Sequence, residues 1–163
     1  MYRRFSTVII TLLLSEFKKC WAQQGTSCPA SAGYSWAAND MGQDPCVVAH
    51  SLFVPQPCND EYVFFGPLTA GSDDVYPAPS DDTVGPCLCN TVIYSLATAC
   101  ATCQDASFLS WSEWIVNCPA SDVVQQSWPT SIPSNTAIPA WAYLPIVVSR
   151  TPLLLFNLTR KMT

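Results

Sequence analysis

The stretch that decides the fold is Cys87-Leu88-Cys89-Asn90-Thr91-Val92-Ile93-Tyr94-Ser95-Leu96-Ala97-Thr98-Ala99-Cys100-Ala101-Thr102-Cys103. Asn90 is a good helix N-cap, because its side-chain oxygen can accept a hydrogen bond from a first-turn backbone N–H. Apolar and cysteine side chains follow at spacings of three and four, on one side of a helix. They are Val92, Ile93, Leu96, Cys100 and Cys103. The stretch therefore predicts a helix from Asn90 to about Cys103.

This helix limits which cysteines can pair. Cys89 and Cys100 would lie about 16 Å apart along a continuous helix, and a disulfide needs α-carbons within about 7 Å. Cys100 and Cys103 share a face and are expected to reach different segments, with Cys118 as a natural partner for one of them. Cys87 and Cys89, at the start of the helix, are expected to reach back to an earlier cysteine. The earlier cysteines are Cys28, Cys46 and Cys58.

The N-terminus resembles a secretory leader. Arg3 and Arg4 precede a short apolar run, which predicts a signal peptide over residues 1–22 with cleavage before Gln23. Cleavage would remove Cys20 and leave eight cysteines, an even set typical of a disulfide framework in a small secreted chain. These eight are Cys28, Cys46, Cys58, Cys87, Cys89, Cys100, Cys103 and Cys118. The expected location is secreted, or on the extracellular face of the cell surface.

The charge distribution excludes two classes of partner. Between Cys20 and Ser149 there is no lysine or arginine, whereas eleven of the twelve carboxylates of this acidic chain lie there. Such a domain cannot neutralise phosphates, so nucleic-acid binding is excluded, and anionic membrane surfaces should repel it. Because ionic pairs are almost impossible here, disulfides and apolar packing are expected to hold the fold.

The remaining segments predict a small, disulfide-rich, α-rich irregular domain with two short helices and extended proline-rich segments. Residues 23–86 have an irregular pattern, with apolar runs at residues 47–54 and 62–65 that suit strands or extended segments and an exposed connector at residues 73–82. Within the helical part, residues 87–145, Ser110 and Glu113 match a capping box for a second helix to about Asn117. Prolines after Trp128 favour an extended strap across the helices. Residues 146–163 are expected to form an apolar tail, which would be truncated if a membrane span normally follows the domain. The tail contains the sequon Asn157-Leu158-Thr159, so Asn157 is the expected glycosylation site.

The order and spacing of the motifs over residues 87–144 resemble a family of uncharacterised cysteine-rich proteins of basidiomycete fungi. The motifs are the stretch quoted above, Trp111-Ser112-Glu113-Trp114, Cys118, Ile132-Pro133 and Pro139-Ala140-Trp141-Ala142-Tyr143-Leu144. The resemblance implies a secreted ectodomain, followed in many members by one membrane span. In this sequence the segment after Leu144 is expected to be too short and too interrupted by Arg150 and Pro152 to form such a span.

Asp82 ahead of Cys87-Leu88-Cys89, with Cys100, Cys103 and Cys118, is also similar to the latter half of the fungal CFEM domain. Some members of that family bind haem through an aspartate, and the similarity implies Asp82 as the haem-binding position.

No residue pattern assembles a catalytic set. Cys87-x-Cys89 and Cys100-x-x-Cys103 could bind zinc as free thiols, but behind a signal peptide disulfides are favoured. His50 is the single histidine, and Asp73-Asp74 and Asp81-Asp82 lie in a proline-rich connector unsuited to acid–base chemistry. Five tryptophans could form core or stack on sugars: Trp36, Trp111, Trp114, Trp128 and Trp141.

The leading hypothesis is a non-enzymatic extracellular module without a cofactor, acting structurally or by binding a protein or a cell-wall glycan. The alternative is a haem- or metal-binding module.

Overall fold

The computed structural model describes residues 26–53, 58 and 65–146. The predicted signal peptide, the 62–64 part of one apolar run, most of the apolar tail and Asn157 lie outside these ranges. These ranges contain three α-helices: α1 (Pro45–Phe53), α2 (Thr91–Cys103) and α3 (Trp111–Trp114). Short 3-10 helices cover Ala30–Ala32, Ser35–Ala37 and Ala140–Tyr143. The small, helical and irregular, disulfide-rich fold class is confirmed.

Helix α2 begins and ends where the sequence predicts. The Asn90 side chain accepts a 2.7 Å hydrogen bond from the Val92 amide, and the helix ends at Cys103. Asn90 is fully buried, and its side-chain nitrogen donates to the Ser127 carbonyl at 2.7 Å. The cap therefore also fastens α2 to the chain that follows α3.

The prediction of an extended segment at residues 47–54 is wrong, because α1 covers residues 45–53. Asp44 is the N-cap: one carboxylate oxygen accepts from the amides of Cys46 at 2.9 Å and Val47 at 3.1 Å. Pro45 follows at the first helical position, where its missing N–H costs nothing. The buried side chains recur with helical period: Pro45, Val48, Ala49, Leu52 and Phe53. The turn signal at Asp44-Pro45 and this spacing outweigh the β-branched composition of the run.

Helices α1 and α2 pack on each other and form the centre of the core. Phe53 of α1 extends the core through aromatic contacts, with ring centroids 5.8 Å from Phe65 and 6.2 Å from Trp128. A second aromatic group lies at α3, where the Tyr94 ring is 5.8 Å from Trp114. The core is therefore built from helix faces and aromatic side chains.

Helix α3 has the predicted capping box, in which Ser110 and Glu113 bond each other's backbone amides. It ends at Trp114 rather than near Asn117, because the chain turns back so that Cys118 can reach Cys89. The Cys118 amide bonds the Ile115 carbonyl at 2.9 Å in that turn. The disulfide thus shortens the helix that the capping signal begins.

The sequence predicts that the connector at residues 73–82 is exposed, but part of it is buried. Its four aspartates are exposed, but Tyr76 is only 6% exposed and Pro79 is fully buried. The Tyr76 ring lies 5.1 Å from Phe65, and its hydroxyl donates to the Gly66 carbonyl at 2.8 Å. The burial of one aromatic ring anchors the segment, whereas its charged side chains stay in water.

The proline-rich strap was predicted to be extended, but bends at residues 129–130, a turn at residues 134–135 and the 3-10 helix Ala140–Tyr143 interrupt it. This helix packs against α2. Trp128 is buried on Phe53 of α1, so one strap aromatic lies on a different helix from those predicted. Pro139 sits immediately before the 3-10 helix, a position that proline tolerates.

Four disulfides join Cys28 to Cys103, Cys46 to Cys100, Cys58 to Cys87, and Cys89 to Cys118. Cys89 and Cys100 are in separate bonds, as the helix geometry requires. The expected links from Cys100 or Cys103 to Cys118, and from Cys89 backwards, are wrong. Cys118 instead lies beside the start of α2, with its α-carbon 5.8 Å from that of Cys89.

Candidate functional site

Two disulfides lie against each other between α1, the end of α2 and the segment around Cys28. The Cys46 sulfur is 3.9 Å from the Cys28 sulfur and 3.8 Å from the Cys103 sulfur. We call Cys28–Cys103 and Cys46–Cys100 the stacked disulfides. The sulfurs of Cys28, Cys46 and Cys103 lie within 4.8 Å of one another, a spacing that thiolates could use to hold a metal ion. In the oxidised chain Cys28 is bonded to Cys103 and Cys46 is bonded to Cys100, so none of these sulfurs is a thiolate.

The zinc alternative considered for Cys87-x-Cys89 and Cys100-x-x-Cys103 is not compatible with the disulfides. Each of those four cysteines belongs to a different disulfide. Oxidised sulfur lacks the negative charge with which cysteine binds zinc.

A buried polar network surrounds Cys100. The Gln104 side-chain nitrogen is 2.8 Å from the Tyr76 hydroxyl and 3.3 Å from the Cys100 sulfur, and the Gln104 oxygen accepts from the Leu68 amide at 2.8 Å. The Tyr76 hydroxyl is itself 3.1 Å from the Cys100 sulfur. Burial raises the pKa of Tyr76, so its phenol stays protonated at physiological pH.

Three aromatic side chains form a row on the surface, which we call the aromatic surface: Tyr34, Trp36 and Trp141. The Trp36 ring lies 5.9 Å from Tyr34, inclined by 34°, and 6.1 Å from Trp141, inclined by 60°. Trp36 is 45% exposed, whereas Tyr34 and Trp141 are partly exposed. Exposed aromatic faces of this kind bind sugar rings or apolar protein groups.

The aromatic surface is held by hydrogen bonds between two distant parts of the chain. The Trp141 indole N–H donates to the Ala37 carbonyl at 3.1 Å. Beside it, Asn39 donates to the Ala137 carbonyl at 2.7 Å, and the Thr136 hydroxyl bonds the Gln43 side-chain oxygen at 2.8 Å. These bonds fix the rings in place before any partner arrives, which lowers the entropic cost of binding.

The electrostatic setting of the aromatic surface is acidic. Burial, and then the nearby Asp105 carboxylate, raise the pKa of Tyr34. Residues 26–53, 58 and 65–146 contain no lysine or arginine that could offset the carboxylates. The surface is therefore suited to an uncharged or cationic partner.

Sequence reasoning named Trp36 and Trp141 but missed Tyr34, which lies two residues before Trp36. Trp114 and Trp128 are core side chains, at 3% and 8% exposure, and Trp111 packs on Tyr94 with ring centroids 5.2 Å apart. Of the five tryptophans considered for sugar stacking, the structure brings only Trp36 and Trp141 together at a surface.

Asp82, the position implied for haem, is exposed in a turn. The turn is closed by the Ser80 carbonyl, which accepts from the amides of Thr83 at 2.8 Å and Val84 at 2.7 Å. An axial haem ligand must lie within an apolar pocket, and an exposed turn does not supply one. A cavity between Tyr76, Tyr94 and Trp114 has a volume of about 10 Å³, room for one water molecule at most.

The residues considered for catalysis come from separate segments of the chain. His50 is in the last turn of α1, whereas Asp74 and Asp82 are exposed side chains of the connector. Hydrogen bonds from Thr69 and Ser72 lower the pKa of Asp74, the opposite of the raised pKa that a general acid needs.

No protein-family model, curated protein or solved structure matches this chain. The resemblances to the basidiomycete family and to the CFEM domain stay predictions. In the part of the chain that the structure describes, no helix has the length and apolar character needed to cross a bilayer. Four disulfides are compatible with an extracellular location, where such bonds persist.

Proposed function

We propose that this protein is a secreted or cell-surface recognition module without catalytic activity, which binds a neutral cell-wall glycan through the aromatic surface. The observation that carries the proposal is the row of three adjacent rings fixed to a disulfide-stapled scaffold, with Trp36 45% exposed at its centre. The large apolar ring of Trp36 is left in water, whereas Trp114 and Trp128 are buried in the core.

The charge supports an uncharged polymer as the partner. Asp105 lies near Tyr34, and the described residues offer no lysine or arginine to pair with phosphate, sulfate or uronate groups. Sugar rings of a neutral glycan present apolar C–H faces that pack on tryptophan and hydroxyls that donate to carboxylates.

The binding test uses pull-down on insoluble chitin and β-glucan, with Trp36→Ala and a matched control, Val116→Ala. Val116 is 69% exposed and lies directly after α3, and it is not part of the aromatic surface. Retention of the wild type and of Val116→Ala, with loss of retention in Trp36→Ala at an unchanged melting temperature, supports the proposal. Absence of wild-type retention on both polymers, or equal retention of Trp36→Ala, overturns it.

The location is tested separately. Expression with the native leader in a fungal host, followed by mass spectrometry of the culture medium, should give a chain that begins at Gln23 and carries no alkylatable thiol. Recovery of the whole chain from the cytosol with reactive thiols would overturn the extracellular assignment.

The haem alternative has no support from the position of Asp82. In a titration with haem, we expect the wild type and Asp82→Ala to give the same spectrum, without a Soret band that depends on Asp82.

A further inference from the structure

The stacked disulfides connect a partly exposed cysteine to the core, because the Cys46 sulfur lies 3.9 Å from the Cys28 sulfur and 3.8 Å from the Cys103 sulfur. Cys28 is partly exposed, Cys103 is 3% exposed, and Cys46 and Cys100 are fully buried. We propose that they form a thiol-exchange site: an external low-molecular-weight thiol is captured on Cys28, and the cross-link moves inward until Cys100 is released. This activity goes beyond the proposed recognition function and does not depend on it.

The first step takes place at Cys28. The thiolate of the external thiol attacks the Cys28 sulfur, a mixed disulfide forms there, and the Cys28–Cys103 bond breaks. The electron pair of the broken bond leaves on Cys103 as a thiolate.

The second step is intramolecular. The Cys103 sulfur lies 3.8 Å from the Cys46 sulfur, close enough to attack it after a small movement. A Cys46–Cys103 bond forms, the Cys46–Cys100 bond breaks, and Cys100 leaves as a thiolate. The number of disulfides stays constant because the mixed disulfide replaces one internal bond. No oxidant or reductant is consumed, and the proton lost by the external thiol is balanced by protonation of Cys100.

The surroundings of the two sulfurs decide where the negative charge rests. The Cys103 sulfur lies 3.1 Å from the Cys100 carbonyl oxygen, which repels a thiolate. The Cys100 sulfur lies 3.3 Å from the Gln104 side-chain nitrogen and 3.1 Å from the Tyr76 hydroxyl. To donate to a thiolate there, Gln104 must turn one N–H away from the Cys100 carbonyl, and Tyr76 must turn its proton away from the Gly66 carbonyl. Hydrogen-bond donors stabilise the anion and make Cys100 the better leaving group.

The acidic surface selects the chemical class of the thiol. The Cys28 backbone N–H donates to a carboxylate oxygen of Asp44 at 3.1 Å, so a negative charge lies directly beside the point of attack. A cationic aminothiol is attracted to this site, and an anionic thiol is repelled. Added salt should slow the reaction of cysteamine and speed that of 2-mercaptoethanesulfonate, because screening weakens both effects. Rates that do not change with salt for either thiol overturn this choice of ligand.

The exchange itself is tested on the oxidised protein with less than one equivalent of cysteamine. The reaction is quenched with acid, and free thiols are alkylated and mapped by peptide mass spectrometry. The expected product carries cysteamine on Cys28, the alkyl group on Cys100 and a new Cys46–Cys103 bond. An alkyl group on Cys103 with Cys46–Cys100 intact overturns the second step, and absence of an adduct on Cys28 overturns the first.

A variant tests the second step without any external thiol. In Cys28→Ala the unpaired sulfur should be found at Cys100 rather than at Cys103, in a ratio of about ten to one or more. A hydrogen bond to a charged group stabilises it enough to change an equilibrium by about that factor. Gln104→Leu in the same background should shift the ratio towards Cys103. Cys118→Ala is the matched control, in which the free thiol should stay at Cys89. A free thiol at Cys103 in Cys28→Ala, or migration of the thiol in the control, would falsify the proposal. If Cys28→Ala does not fold, the cysteamine reaction of the wild type decides alone.

Discussion

Gln104 and Tyr76 meet in the core through a 2.8 Å hydrogen bond from the Gln104 amide nitrogen to the phenol oxygen, although 28 residues separate them. The same side chain accepts from the Leu68 amide and donates to the Cys100 carbonyl at 3.1 Å. Gln104, directly after α2, therefore provides hydrogen bonds to the Tyr76 hydroxyl, the Leu68 amide and the Cys100 carbonyl, none of which is paired in a β-sheet.

Replacing Gln104 with leucine should lower the free energy of unfolding by about 1–3 kcal/mol, because the Leu68 amide loses its acceptor inside the protein. Urea unfolding monitored by tryptophan fluorescence measures the change. Gln125→Leu, at an exposed position, is the control and should leave the value almost unchanged. Equal effects of the two substitutions would contradict the role given to Gln104.

Asp44 caps α1 and also holds the segment that carries Cys28. Asp44→Ala should cost about 1–2 kcal/mol, since the amides of Cys46 and Val47 lose their acceptor. Asp44→Asn should retain most of the stability because an amide oxygen can still cap the helix. The exposed Asp40→Ala is the control in the same thermal unfolding series. A loss in Asp44→Asn as large as in Asp44→Ala would show that charge, rather than capping, matters.

Trp114 and Trp128 are both buried but differ in one hydrogen bond. The Trp114 indole N–H donates to the Leu88 carbonyl at 2.8 Å, whereas the Trp128 indole nitrogen has no partner. Trp114→Phe should therefore destabilise the protein by about 1–3 kcal/mol more than Trp128→Phe, which removes an unsatisfied donor. Denaturant unfolding of the two variants gives the difference directly, and the reverse order would refute the argument.

Stability should be greatest in mildly acidic solution. Hydrogen bonds from Thr69 and Ser72 lower the pKa of Asp74 below its ordinary 3.8, and those from Ser110 lower the pKa of Glu113 below 4.5. Their contribution is present above these ordinary values and is lost as the pH falls through the lowered ones. Burial raises the pKa of Tyr76 and Tyr94 above 10.0, so their contribution is complete below that value and is lost as the pH rises through the raised ones.

Between these limits, repulsion among the carboxylates decreases as the pH falls. The melting temperature should be higher at about pH 5 than at about pH 8, and should fall below about pH 4 and above about pH 10. High salt should reduce the difference between pH 5 and pH 8, because it screens the repulsion. A higher melting temperature at pH 8 in low salt would refute the expectation.

The sequence predicted structure correctly where a side chain bonds the backbone of its own segment, as at a helix cap. Asn90 and Ser110 cap helices as the sequence indicates, because a cap is satisfied within three residues. Helix α1 was not predicted although Asp44-Pro45 carries the same kind of signal, because a short apolar run suits a strand or an extended segment as well as a buried helix.

The candidate sites were predictable only in part. Trp36 and Trp141 could be named as aromatic residues, but nothing in the chain places them 6.1 Å apart, because 104 residues separate Trp141 from the Ala37 carbonyl that holds it. The wrong partner for Cys118 has the same origin: helix geometry excludes pairs within α2 but does not choose between partners outside it.

By itself, the sequence determined the helix that carries Cys100 and Cys103, the capping of α3, the exclusion of a Cys89–Cys100 bond and the absence of lysine and arginine between Cys20 and Ser149. These follow from backbone geometry and residue type, which act over a few positions. Only the tertiary structure decided that Cys28 and Cys46 would stack their disulfides and that Tyr76 would enter the core. Such contacts depend on how helices and loops pack to bury apolar area, which is a property of the whole chain.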